Sequence, residues 1–206
     1  MRTETVNEKL IMEAAEEEFL TKGYAGAKTT SIAQKAGVTH AMLHYYYRTK
    51  ENLFQKVFQN KVQMIANSFE IIFDETLPFE EIIRLFIEKH FDFLVQNSKL
   101  VIFVQNEIRA NKENVIILRN ILYAKMSYIF NRFEKRLENE ISNGTIKPIK
   151  PLELFMNILS LNLATSIIVS ITGEIIQFNQ HFKVDEAFLK ERKESNVQYI
   201  LYSLRA

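Results

Sequence analysis

The amino-acid sequence predicts an all-α fold in which a small three-helix head precedes a larger helical body. Five glycines and three prolines are spread over 206 residues, so few positions are expected to interrupt a helix. Apolar residues recur at three- and four-residue spacing along the chain, which is typical of amphipathic helices. A chain of 24.2 kDa is long enough to bury the core that such a body needs.

Composition excludes several kinds of site. The chain has no cysteine, which rules out disulfides, thiolate metal sites and a cysteine nucleophile. The first residues, MRTETVNEKLIMEAAEEEF, form a charged amphipathic pattern without the apolar core of a signal peptide, so we expect a cytoplasmic protein. The sequence has no motif that places a nucleophile beside a base, no paired carboxylates and no cluster of metal ligands. We therefore expect neither enzymatic activity nor a cofactor.

The head is predicted to occupy residues 1–50. Gly23 and Gly37 follow the first two predicted helices, where glycine readily adopts the left-handed conformation that ends a helix. Thr39 offers a hydroxyl that can cap the third helix. The three predicted helices run from about Thr5 to Lys22, from about Thr29 to Ala36, and from Thr39 to Tyr47.

The body is predicted to occupy residues 51–206 and to begin with a long helix capped by Thr49. The apolar positions of this helix run from Leu53 to Ile72, and the helix must end before Pro78 because proline lacks an amide donor. Further helices are predicted near residues 79–97, 99–110, 114–142, 151–173 and 185–204.

Residues 154–173 contain no charged side chain. This stretch is nearly long enough to cross a bilayer, which needs about 20 apolar residues. Seven Asn, Ser and Thr side chains in this stretch argue against a membrane span. They favour a helix that is buried on all sides within a soluble helical bundle. The last helix also has a stripe that we expect to pair with this helix across the two-fold axis of a homodimer. The stripe comprises Phe188, Arg192, Val197, Ile200, Leu201 and Leu204.

The segment TTSIAQKAGVTHAMLHYYYRTKENLF predicts a helix-turn-helix. Small Ala33 lets two short helices cross closely, and Gly37 takes the turn between them. Between Lys22 and Lys56 six lysine and arginine side chains accompany one glutamate, a local charge of +5 in a chain whose net charge is +1. An ordinary helical hairpin explains the glycine but not this charge, so the coincidence favours DNA binding.

This region resembles the TetR family of bacterial regulators over roughly residues 5–60. GYAGAKTTSIAQKAGVT is similar to the family's glycine-led entry to an Ile-Ala helix followed by Ala-Gly-Val-Ser or Thr. LHYYYRTKENLF is similar to its Leu-Tyr-x-Tyr-Phe-x-x-Lys-Glu-x-Leu. The resemblance implies a helical homodimer that binds a palindromic operator in double-stranded DNA, acts as a repressor, and is released when a small-molecule effector in the body spreads the two heads.

Three residues depart from the family pattern. His44 stands where the family usually has tyrosine, Ala41 where it often has glycine, and Tyr47 where it has phenylalanine. The family's tyrosine at the first of these positions carries a phosphate contact. The resemblance therefore leaves open whether His44 binds phosphate or reads a base.

The expected DNA ligands fall into two groups. Tyr46 and Lys50 resemble the family's phosphate ligands, and Lys28 and Thr29 at the start of the second helix are expected to hold the DNA backbone similarly. The third helix supplies the candidates for contacts with base edges. These are Thr39, His40, Ala41, Met42, His44 and Tyr45.

His40 and His44 also have the i, i+4 spacing of a zinc-binding pair. No third ligand is evident near them in the sequence, and no glutamate follows the first histidine. A polar DNA-facing surface explains the pair better, and we expect no metal.

The body is rich in phenylalanine, whose rings can line an apolar cavity or fill it. Polar residues at otherwise apolar positions are what a pocket would use to orient a ligand. The candidate effector contacts are His90, Asn106, Arg109, Asn162 and Thr165. The identity of the effector does not follow from these residues.

Two other functions stay open. A constitutive DNA-binding or nucleoid-associated protein would have the same head and a body without an inducer. A helical protein-interaction scaffold would use the basic stretch to bind an acidic protein surface. Salt dependence and operator selectivity separate these functions from a regulated DNA-binding protein.

Overall fold

The computed structural model describes residues 6–69, 76–175 and 184–206. The all-α prediction is confirmed, because the β pairing among these described residues is limited to an isolated bridge between Ile146 and Arg205. Thr5 and Ile72, which the sequence assigns to the first and fourth helices, lie outside the described residues. The helices are α1 (Val6–Gly26), α2 (Thr29–Lys35), α3 (His40–Tyr47), α4 (Lys50–Ser68), α5 (Phe79–Gln96), α6 (Ser98–Ala110), α7 (Lys112–Ser142), α8 (Pro151–Ile175) and α9 (Glu186–Leu204).

The turn residues behave largely as predicted. Gly37 follows α2 with a φ of 67°, and the Thr39 hydroxyl caps α3 by accepting a hydrogen bond from the Met42 amide at 3.2 Å. The first helix differs from the prediction, because it continues past Gly23 to Gly26 through a kink. Gly23 has a φ of 65° and a ψ of 177° there, a conformation that favours glycine.

The chain packs as two compact units. The first consists of Met1–Met64 and Ile102–Ile121, and the second of Ile65–Val101 and Leu122–Ala206. The division predicted from the sequence, with residues 1–50 as the DNA-binding head, concerns function and stays a prediction.

The first unit has an aromatic core. Phe19 meets Phe54 edge to face with ring centroids 5.2 Å apart. Phe54 and Phe58 both contact Phe103, each with a centroid separation of 6.2 Å. Aromatic pairs of this kind contribute about 0.5–1.5 kcal/mol beyond the burial of their area, so α1, α4 and α6 are held together firmly.

A buried carboxylate joins α1 to the start of α2. The Glu18 side chain has no solvent exposure and accepts hydrogen bonds from Lys22 at 2.6 Å and from the Ser31 hydroxyl at 3.2 Å. The Lys28 amide, just before the first turn of α2, lies 3.5 Å away, and Lys35 forms an ion pair at 3.4 Å. Burial by itself raises the pKa of Glu18, but the bonds from the three lysines outweigh burial and the pKa is lowered overall.

In the second unit α5 packs against α8 and α9. The apolar stripe of α9 belongs to this core, with Ile200 and Leu201 exposed by only 1% and 7%. The prediction that Leu201 lies in a dimer seam is therefore wrong, because a single protomer already buries it. The exposed face of α9 carries Tyr199 and Tyr202 instead, which are 66% and 73% exposed. The buried stripe residues are Val197, Ile200, Leu201 and Leu204.

Helix α8 has an apolar segment, Pro151–Ser170, whose length and composition would allow it to cross a membrane. The core helix of a soluble protein can have the same length and composition. Its polar side chains Asn162 and Ser166 are buried inside the second unit, as in the core helix of a soluble bundle. Within a single protomer α8 is not buried on all sides, because Met156 and Ile168 are each 51% exposed. Helix α8 thus has one face in the core and one apolar face outside it.

We expect replacement of Glu18 by glutamine to destabilise the first unit by about 1–3 kcal/mol at neutral pH, because the donors around this buried side chain lose a charged partner. The lowered pKa of Glu18 means that its carboxylate stabilises the fold above the ordinary value of 4.5. This contribution is lost as the pH falls through the lowered folded-state pKa. Urea unfolding of wild type and Glu18→Gln between neutral and acid pH measures the difference, which should shrink below that ordinary value.

The matched control is Glu13→Gln, since Glu13 lies on the same helix with a side chain 60% exposed. This variant should unfold within about 0.5 kcal/mol of wild type. Equal stability of Glu18→Gln and wild type at neutral pH would contradict the role assigned to the buried carboxylate.

Candidate nucleic-acid interface

Helices α2 and α3 form the predicted helix-turn-helix. Between them the Val38 amide donates to the Ala33 carbonyl at 3.0 Å, and Gly37 provides the left-handed residue of the turn. Ile32, Ala33 and Leu43 are buried, each 3% exposed or less. This small shared core fixes α3 with its opposite face outward.

The outward face of α3 carries the predicted base-reading residues. Leu43 and Tyr47 are the buried side chains of this helix, and the hydroxyl of exposed Thr39 serves as the helix cap. Side chains near the start of the second helix are those that reach base edges in helix-turn-helix proteins. The exposed residues of α3 include His40, Ala41, Met42, His44 and Tyr45.

The two histidines of α3 are ordered by polar contacts. Nε2 of His40 lies 3.0 Å from the Thr29 hydroxyl at the start of α2. Nδ1 of His44 lies 2.8 Å from the carbonyl oxygen of Arg48. The two imidazoles meet edge to face with centroids 4.5 Å apart. Within the described part of the chain no group of three or more His, Cys, Asp or Glu is placed to hold a metal ion.

The predicted phosphate ligands Lys50 and Tyr46 are both half-buried. Nζ of Lys50 lies 4.6 Å from the centre of the Tyr24 ring, a cation–π contact worth about 0.5–1 kcal/mol at an exposed site. The Tyr24 hydroxyl is hydrogen-bonded to Glu51, which raises the pKa of Tyr24 together with burial. Tyr24 thus positions the Lys50 ammonium, a role that no local sequence signal indicates.

Two cations of the basic stretch are paired with acidic residues of α1. Lys22 binds Glu18 and Lys35 binds Glu17, each at 2.6 Å. The hydrogen bond that Lys35 donates to Glu17 raises the pKa of Lys35. These ion pairs neutralise two of the six cations, so the net positive charge around the helix-turn-helix is lower than the predicted +5. The other four cations of the stretch are Lys28, Arg48, Lys50 and Lys56.

A network of hydrogen bonds supports Tyr24 within the first unit. Glu107, which is 7% exposed, accepts a hydrogen bond from the Tyr24 amide at 2.9 Å. Asn114 donates to the Glu107 carbonyl at 3.1 Å, and Gln55 donates to the Glu51 carboxylate at 2.9 Å. Glu107 lies 83 residues from Tyr24 in the sequence, so no local pattern indicates this contact.

The five candidate effector contacts divide between the two units. Asn106 and Arg109 are exposed on α6 in the first unit, whereas His90, Asn162 and Thr165 are buried in the second unit. A role of any of them in binding an effector stays a prediction.

Among the buried candidates, His90 and Asn162 contact other residues of the second unit. The His90 ring lies between Phe69 and Phe86, with centroid separations of 5.1 and 5.7 Å. Asn162 donates to an α5 carbonyl at 3.0 Å, lies 3.3 Å from His90 Nδ1, and accepts from Asn196 at 3.0 Å. Burial lowers the pKa of His90 to about 4, so its imidazole is neutral at physiological pH.

Comparison with known proteins agrees with this geometry. The family model for bacterial regulatory proteins of the tetR family matches residues 11–57, which contain α2 and α3. The fatty acid metabolism regulator protein of Bacillus subtilis (strain 168) is 28% identical over 137 residues, which are 66% of this chain and 69% of that protein.

Solved structures share the fold. The transcriptional regulator FadR from Bacillus subtilis, in complex with stearoyl-CoA, superimposes with a TM-score of 0.64 at 22% identity over 95% of this chain and 98% of that one. The fatty acid degradation regulator FadR from Bacillus halodurans gives a TM-score of 0.57 at 20% identity over 92% and 97% of the two chains. The helix-turn-helix geometry and the family match agree: residues 11–57 carry the helix-turn-helix of the tetR family of bacterial regulatory proteins, and the chain has the fold of these solved regulators.

Proposed function

We propose that the chain is a cytoplasmic, homodimeric repressor that binds a palindromic operator and is released by a long-chain acyl-CoA. One observation carries the DNA-binding part, namely the exposed face of α3 beside the cations Lys28, Arg48 and Lys50. Cations around a recognition helix provide the salt-dependent attraction to phosphate, and the helix itself provides side chains for base edges.

Selection of bound fragments from the genome tests this function most directly. A regulator should enrich an inverted repeat whose half-sites are about one helical turn apart, since a two-fold dimer presents two recognition helices. Enrichment of no sequence would favour the nucleoid-associated alternative. Failure to bind DNA at low salt would contradict the proposal and favour the protein-interaction scaffold.

The acyl-CoA part rests on the relatives and on the chemistry of the body. One structural neighbour is a complex with stearoyl-CoA, and the second unit contains the phenylalanine surface that an acyl chain would need. Phe155 lies 5.9 Å from Phe69, 6.1 Å from Phe86 and 6.1 Å from Phe130 by ring centroids. Phe155 is only partly buried against the core, so a chain that covers it would bury apolar area.

The dimer part rests on the exposed faces of α8 and α9. Met156 and Ile168 on α8 and Tyr199 and Tyr202 on α9 are each more than half exposed. Large apolar residues gathered on the surface mark an interaction site, and a two-fold axis would pair these faces with their copies.

We expect Lys50→Ala to weaken binding to all sequences alike, since a phosphate contact carries no sequence information. The slope of log affinity against log salt should fall by about one per half-site, because about one counterion release is lost with each contact. The matched control Lys147→Ala removes an exposed cation of the second unit and should leave the slope unchanged. Fluorescence anisotropy at several salt concentrations measures both, and an unchanged slope for Lys50→Ala would remove Lys50 from the interface.

We expect Ile168→Glu to yield monomers, because pairing the α8 faces would bury a charge without a partner. The dimer should dissociate at concentrations at least about tenfold higher than for wild type, measured by sedimentation. Glu191→Gln, on the exposed surface of α9, is the control that should remain dimeric. A dimeric Ile168→Glu protein would place the seam elsewhere, whereas Leu201→Glu does not test the seam because it disrupts the protomer core.

We expect stearoyl-CoA to raise the thermal unfolding temperature, because a ligand that binds only the native state stabilises it by mass action. At a hundredfold excess over Kd the shift should be about 5–10 °C for a chain of this size. The same compound should release the selected operator, while free CoA should do neither. A shift without release would contradict the effector role, and no shift would favour a constitutive DNA-binding protein.

A further inference from the structure

The connection between α3 and α4 contains a strained turn at Arg48. This residue has a φ of 63° and a ψ of −54°, and the Thr49 amide donates to the Tyr47 carbonyl across it at 2.6 Å. These angles and this hydrogen bond define a γ-turn, a rare conformation for a residue with a side chain. Among the described residues the other positive φ values belong to glycines. Strain of this kind concentrates at functional sites.

The turn brings the Arg48 carbonyl oxygen to the His44 imidazole. The distance from this oxygen to Nδ1 is 2.8 Å. A carbonyl oxygen only accepts hydrogen bonds, so Nδ1 must carry a proton and donate. In a neutral imidazole the other nitrogen, Nε2, is then without a proton and is an acceptor.

The other side of the His44 ring is also held. The His40 imidazole packs against it edge to face at 4.5 Å, and Thr29 holds Nε2 of His40 at 3.0 Å. A continuous series of contacts therefore runs from Thr29 through both histidines to Arg48 along the exposed face of α3. Such prior ordering reduces the entropy that would be lost when the ring meets DNA.

We propose that His44 reads an exocyclic amino group in the major groove, which is N6 of adenine or N4 of cytosine, through its Nε2 acceptor. This inference rests on the proposed DNA-binding function. Adenine and cytosine are the bases that offer donors in the major groove, whereas guanine and thymine offer acceptors there. Phosphate oxygens are also acceptors, so a neutral His44 with a bare Nε2 is suited to a base rather than to the phosphate that tyrosine binds in the family.

The protonation pattern is testable without DNA. Long-range proton–nitrogen NMR spectra of the full-length protein at about pH 8, where an ordinary histidine is neutral, should show His44 protonated at Nδ1. His44→Asn serves to assign the signals. The Arg48→Gly variant should keep the pattern, because glycine adopts the turn readily and retains the carbonyl. A proton on Nε2 of His44 in the wild type would overturn the inference.

The base is identified on the selected operator. Each adenine is replaced by purine and each cytosine by 2-pyrimidinone, which lack the amino group. One position per half-site should lose about tenfold in affinity, the upper range for one neutral hydrogen bond. An effect at an adenine identifies N6 as the contact, and an effect at a cytosine identifies N4.

His44→Ala is the matched variant for this measurement, because it removes Nε2 and leaves no side-chain acceptor, whereas an asparagine oxygen could itself accept from the amino group of adenine. Its affinity should not depend on the amino group at that position. If the operator binds well and no amino deletion matters, or if His44→Ala responds as wild type does, the inference is wrong while the proposed function stands. If no operator is selected, both are wrong.

Discussion

The head depends on one buried carboxylate, that of Glu18. Helix α2 has seven residues and no side-chain cap from Lys28, while isolated helices shorter than about 12–15 residues are marginal in water. Glu18 places a negative charge near the start of this helix, where the helix dipole is favourable, and binds Lys22 of α1 and Lys35 of α2. A buried carboxylate without such partners would be expensive. With them it fixes α2, and α2 is the surface on which α3 packs.

The strained turn at Arg48 is possible because the residues around it are fixed independently. Before the turn, Tyr47 is 9% exposed and its hydroxyl donates to the Glu8 carbonyl of α1 at 3.4 Å. After the turn, the Thr49 hydroxyl accepts from the Asn52 amide at 3.1 Å and caps α4. The backbone between two such anchors has little freedom to relax. Packing of the head thus supplies the free energy that holds the Arg48 carbonyl beside the recognition helix.

The sequence predicted those features whose causes are local. Gly37 and Thr39 mark the helix-turn-helix because turn conformation and helix capping depend on neighbouring residues. The role of Leu201 was mistaken because periodicity identifies residues that share a face but not the element that covers it. Pairing of Lys35 with Glu17 could not be predicted either, since the two residues belong to different helices. For the same reason the sequence does not indicate that the Tyr24 ring lies against the Lys50 ammonium.

Polar residues within apolar helices illustrate the same limit and constrain how an effector could bind. Asn162 and His90 look like pocket residues in the sequence, yet their contacts with each other and with Asn196 use their polar atoms inside the second unit. A ligand that breaks such bonds leaves buried groups unsatisfied at a cost of about 1–3 kcal/mol each. An acyl chain offers no hydrogen bond in return. An effector of this class is therefore bound most favourably where it covers phenylalanine rings such as Phe155 and leaves the Asn162 network intact.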